Sequence, residues 1–124
     1  MTQPLTLFLY EKLLPGGQLV NRLQDLGYRV QSLANPALLP DLAEREKPLL
    51  IIADLEPERN QVCQALAQLR RNTGTAHIPI IAFASVANPA LLSAARTAGA
   101  TLVVNDNALL LHLNQLLEQA LQVD

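Results

Sequence analysis

Residues 49–57 read "LLIIADLEP". Five apolar residues, Leu49 to Ala53, run unbroken into one carboxylate, Asp54, and Pro57 follows. A run this short, closed by turn formers, predicts a strand buried on both faces. Asp54 then stands where that strand emerges. "LTLFLY" (5–10), "IPIIAF" (78–83) and "TLVV" (101–104) read the same way. "YRVQS" (28–32) sets Tyr28, Val30 and Ser32 against Arg29 and Gln31, an alternation that suits an edge strand with one wet face.

Helical spacing fills the intervals. After Pro15-Gly16-Gly17, apolar residues fall at Leu19, Val20, Leu23 and Leu26, and Gly27 is placed to close the helix in the left-handed conformation. "NPALL" occurs at 35–39 and again at 88–92. Both copies read as helix starts: Asn accepts from free first-turn amides, and a proline after it loses no helical bond. Pro40 complicates the first copy, where a helix beginning at Pro40 would run through "DLAERE". Further helices are expected at about 58–71, with Val62, Leu66 and Leu69 inward, at 88–98, closed by Gly99, and from about Ala108 to the C-terminus.

The order is strand then helix, five times over. Such alternation predicts a parallel sheet covered by helices on both faces, in one domain spanning 1–124. The expected architecture is a doubly wound α/β fold with the flavodoxin-like strand order 2-1-3-4-5 and right-handed crossovers. Ligands of such sheets bind at the carboxyl ends of the strands, and there Asp54 is central.

Composition narrows the function. The chain has 124 residues, 50% of them hydrophobic but only 3% aromatic, so its core is built from Leu, Ile, Val and Ala. Nine basic residues and a net charge of −2 argue against a nucleic-acid footprint. Arg70-Arg71 is the densest basic spot; at a helix end it answers the helix dipole better than it makes a phosphate site. Cys63 is the one cysteine, which excludes an internal disulfide and reads as a structural thiol. His77 and His112 lack a partner motif. Gly16-Gly17 lacks the spacing and Lys of a phosphate loop. No apolar stretch reaches the ~18 residues of a membrane span, and the N-terminus lacks a signal-peptide start. A cytoplasmic protein without cofactor or enzymatic activity is expected.

Three stretches, "PLLIIADLEP" (48–57), "LRRNTGTAHIPIIAFAS" (69–85) and "ALLSAARTAGATLVV" (90–104), resemble the response-regulator receiver (CheY-like) family of two-component systems. The resemblance covers nearly the whole chain and implies the fold above. It also implies a constellation for phosphoryl transfer, in which Asp54 matches the acceptor. The family's two metal-binding acids fall on Tyr10 and Glu11, so one is lost; a metal would have only Glu11 and Asp54. The Thr or Ser ending the fourth strand falls on Ala84, with Ser85 beside it. The Lys after the fifth strand gives way to Asn105-Asp106-Asn107. The proline after the acceptor comes three residues on instead of four.

A phosphoryl dianion near Glu11 and Asp106 would meet like charge, and two unit charges ~4 Å apart repel by roughly 4 kcal/mol at an effective dielectric of 20. The expectation is therefore a degenerate pseudo-receiver that signals through protein contacts. The alternatives are a divergent receiver phosphorylated on Asp54 and a small-ligand sensor using the strand-end crevice. The last helix carries more leucines than one buried face needs. Leu109, Leu113, Leu116 and Ala120 are assigned to the sheet. Leu110, Leu111, Leu117 and Leu121, with the helix at 88–98 beside them, are assigned to a partner or homodimer surface, with Leu110 or Leu117 largely exposed.

Overall fold

The computed structural model describes residues 5–10, 13–55, 59–84 and 89–121, without the side chains of 13–16, 59, 60, 106 and 110. Strand β1 (Leu5–Leu9) leads to helix α1 (Leu13–Asp25) and β2 (Arg29–Leu33). A single 3-10 turn (Pro36–Leu38) opens α2 (Leu39–Glu46), followed by β3 (Leu50–Asp54), α3 (Arg59–Arg71) and β4 (Ile80–Ala84). Then come α4 (Pro89–Ala98), β5 (Leu102–Asn105), α5 (Asp106–Leu111) and α6 (Leu113–Leu121). The strands form one five-stranded sheet, parallel throughout, in the expected order β2-β1-β3-β4-β5.

The period of two along each strand sorts the core into two layers. Leu5, Leu7 and Leu9, Ile51 and Ala53, and Ile80, Ala82 and Ala84 face α2, α3 and α4 through Leu39, Ala43, Leu66, Leu69, Leu91 and Ala95. Phe8, Leu50, Ile52, Ile81 and Phe83 face α1, α5 and α6 through Leu19, Leu23, Leu109, Leu113, Leu117 and Ala120. β1, β3 and β4 are buried along their whole length, as unbroken apolar runs require in a sheet covered on both sides. The edge strands β2 and β5 are only partly covered.

Local chemistry explains most boundaries. Asn35 Oδ1 accepts from Ala37 N at 3.0 Å, so the first "NPALL" is a helix start, though of a 3-10 turn that runs directly into α2. Gly27 and Gly99 end α1 and α4 at φ of 94° and 111°. Three expectations shift. α1 begins at Leu13 rather than Gln18: Pro15 falls in the first turn, where a missing N–H costs no helical bond. β2 has no clean wet face, since Ser32 is exposed and Gln31 half-buried. The single last helix is two, parted at His112, whose φ of −120° lies outside the helical region.

Candidate functional site

The carboxyl ends of β1, β3, β4 and β5 converge on one edge of the sheet. Leu9 pairs with Ala53, and Tyr10 and Asp54 each stand one residue further on. Asp54 pairs in register with Phe83, and Leu55 N donates to Phe83 O at 3.0 Å, which carries the ladder past the acid. The Asp54 side chain is thus held at the end of a buried central strand, only 5% exposed.

Around it, the sequence-assigned residues have structural duties. Tyr10 N donates to Leu33 O at 3.0 Å. The Tyr10 ring lies 4.5 Å from that of Phe8, tilted by 40°, on the α1/α5/α6 layer. Ala84 is buried, its methyl in the opposite layer. It pairs in register with Asn105. Asn105 Oδ1 accepts from Ala108 N at 2.7 Å and so caps α5. This satisfies one of the amides that a helix start leaves without an intrahelical partner. Among the described residues, the two strand ends therefore present a methyl and a carboxamide whose oxygen is committed to the α5 cap. Glu11, Ser85 and Pro57 lie outside the described residues, as does the side chain of Asp106. Among the described residues no group of three His, Cys, Asp or Glu is assembled around a metal position.

The remaining reactive side chains stay apart from this edge. Cys63 is half-buried on α3, and burial pushes its thiol pKa up, away from the reactive thiolate. His77 and His112 are exposed. Arg70 has a role that its position at the end of α3 did not reveal. Its Nε donates to Gly99 O (2.7 Å), one terminal nitrogen to Ala76 O (2.6 Å) and Ile78 O (2.9 Å), and the other to Thr101 Oγ1 (3.0 Å). Only the cluster of turn formers after Arg71 hints at such a clamp. Arg71 is exposed.

The leucine face needs correction. Leu111 is 76% exposed, as a contact residue would be. Leu117 is 4% exposed and packs in the core, so its assignment to an exposed surface was wrong. Because α6 is its own helix, Leu113, Leu117 and Ala120 form its inner row, and Leu116 turns to a half-buried flank. Leu121 is half-buried, and the side chain of Leu110 lies outside the described residues.

No protein-family model and no curated protein sequence matches the chain. Solved structures do. The receiver domain of a sensor histidine kinase of Pseudomonas aeruginosa, with magnesium in its active-site cleft, superposes with a TM-score of 0.85 at 20% identity over 97% of this chain and 98% of that one. The signal receiver domain of a signal transduction histidine kinase of Syntrophus aciditrophicus gives 0.79 at 20%, over 95% and 89%. A response regulator protein of Burkholderia multivorans gives 0.71 at 26%, over 94% and 96%. The order of the strands, the helical layers and these superpositions agree: the chain has the fold of response-regulator receiver domains.

Proposed function

We propose that this chain is a receiver-type signalling module that acts by binding a protein partner and does not take up a phosphoryl group on Asp54 in the ordinary way. The register pair Ala84 and Asn105 carries this reading. Transfer to Asp54 would add charge at a strand end that is almost closed to water, where it must be met by donors or cations. The Ala84 side chain offers neither, and Asn105 brings an uncharged amide where a cation would be needed, its oxygen held by Ala108 N. A magnesium ion would have to be held by Asp54 with Glu11, since Tyr10 replaces the other acid and stacks on Phe8.

The test is incubation with acetyl phosphate or beryllofluoride and Mg²⁺, followed by intact mass and backbone NMR. No modification and no shift around residues 54, 84 and 105 is expected. Stoichiometric, Mg²⁺-dependent modification lost in Asp54→Ala would replace this reading with that of an active receiver. None of the described helices is long and apolar enough to cross a membrane.

A further inference from the structure

At the opposite edge of the sheet, about 16 Å along β3 from Asp54, the starts of three strands and the end of α6 enclose a groove of about 460 Å³. Among the described residues, Leu5, Pro48, Leu49, Ile78, Pro79 and Leu121 form its apolar lining, with Lys47 and His77 as its polar groups and no carboxylate. Leu49 lies between buried Pro48 and Leu50, yet is 45% exposed. Leu121 also lines a second groove of about 420 Å³. There Leu26, 43% exposed, lies with Tyr28, Leu117, Asn114 and Glu118. Two of the four large hydrophobics exposed in the described residues, Leu49 and Leu26, thus border these two grooves, which share Leu121.

Lys47 gives the first groove its sign, whereas the second carries the carboxylate of Glu118. It occupies the left-handed region at φ 50°, where Gly or Asn would cap α2 with less strain. A cation there also suits the helix dipole, but Arg45 already supplies one in the last turn. Lys47 and the exposed His77 both line this apolar groove.

We infer that this first groove docks a segment of a partner protein that inserts leucine-type side chains and sets a carboxylate against Lys47 and His77. A half-exposed floor suits side chains presented by a larger body better than a small molecule, which needs enclosure. The inference rests on the reading that the chain works by contact, and it names the place and chemistry of that contact.

The experiment titrates the isotopically labelled full chain with two short capped peptides, one of Glu and Leu, the other with Lys replacing every Glu. The acidic peptide should shift the amides of Lys47, Leu49, His77, Ile78 and Leu121 and bind about tenfold tighter than the basic one, as reversal of exposed charge pairs implies. Lys47→Glu should reverse that preference. Lys47→Gly, which relieves the left-handed backbone, should raise or preserve Tm while weakening the acidic peptide about threefold. Equal affinity for both peptides, absence of shifts, or shifts mapping to residues 102–111 would overturn the inference. So would an unchanged affinity in Lys47→Gly. None of these outcomes bears on Asp54, whose modification is read separately with beryllofluoride.

Discussion

Arg70 and Gly99, 29 residues apart in sequence, hold one another in place. Arg70 Nε donates to the Gly99 carbonyl at 2.7 Å, and a Cβ built on Gly99 would meet Arg70 Cγ at 2.5 Å. The same guanidinium binds the carbonyls of Ala76 and Ile78 and the hydroxyl of Thr101. That hydroxyl in turn accepts from Ile80 N at 3.0 Å. One cation therefore ties the end of α3 to the starts of β4 and β5. Burial lowers its pKa, but an arginine this well supplied with acceptors remains charged at neutral pH.

Two substitutions test the clamp. Gly99→Ala places a side chain at φ 111° and against Arg70, and should cost about 1–3 kcal/mol in urea unfolding. Arg70→Met keeps length but removes the donors to part-buried carbonyls, and should cost about 2–4 kcal/mol. In an Arg70→Ala background the cost of Gly99→Ala should shrink, because the crowding arm is gone while the backbone strain stays. A strictly additive double mutant would mean that the crowding has no energetic weight.

Asn105 gives a second prediction. Asn105→Ala removes the α5 cap and should cost about 1 kcal/mol, whereas Asn105→Asp should be nearly neutral because aspartate caps as well. Equal losses in both variants would show that the 2.7 Å bond to Ala108 N does not stabilise the helix start.

The sheet was legible in the sequence because each central strand is an unbroken apolar run and each run is separated from the next by a helical period. "LTLFL", "LIIAD" and "IIAFA" need two covered faces, and few topologies supply them. Asp54 was legible for the same reason, since the run ends in it. The last helix was harder. A row of leucines does not say which of them faces inward until the helix phase is fixed, and the break at His112 resets that phase. Leu117 was misassigned for this reason. The Arg70 clamp was hidden for another: its acceptors are backbone carbonyls, which carry no mark in a sequence. Lys47 was likewise hidden, because lysine, unlike glycine or asparagine, does not announce a left-handed φ.

Stability should fall at alkaline pH. Burial raises the pKa of both Cys63 and Tyr28 above their ordinary values. Below about pH 8.5 both are protonated in folded and unfolded chains alike, and their contribution is fully present. As pH rises, the unfolded thiol ionises first, then the unfolded phenol near pH 10, and each ionisation favours the unfolded state. The urea midpoint should therefore decline from about pH 8.5 upward. Cys63→Ala should flatten the first part of that decline, and Tyr28→Phe the second. A midpoint independent of pH between neutrality and pH 10 would show that neither group is more buried than in the unfolded chain.

The leucines at the end of the chain supply the last prediction, and their burial now separates two roles that the sequence had joined. Leu117 is core: it packs with Leu113, Ala120 and Leu23 at 4% exposure. Leu117→Ala should therefore cost about 2–5 kcal/mol, and Leu117→Glu should unfold the chain at room temperature because it buries an unpaired charge. Leu111, at 76% exposure on α5, has little to lose in the isolated chain. Leu111→Glu should change stability by no more than about 0.5 kcal/mol. If the proposed homodimer forms through this end of the fold, both copies use the same patch, and Leu111→Glu brings two like charges close to the two-fold axis. Light scattering across a concentration series should then show dimer in the parent and a folded, cooperatively melting monomer in Leu111→Glu. A parent chain that is monomeric throughout would remove the homodimer, and a dimer unaffected by Leu111→Glu would move it to another face. Unfolding of Leu111→Glu would show that this leucine, too, is part of the core.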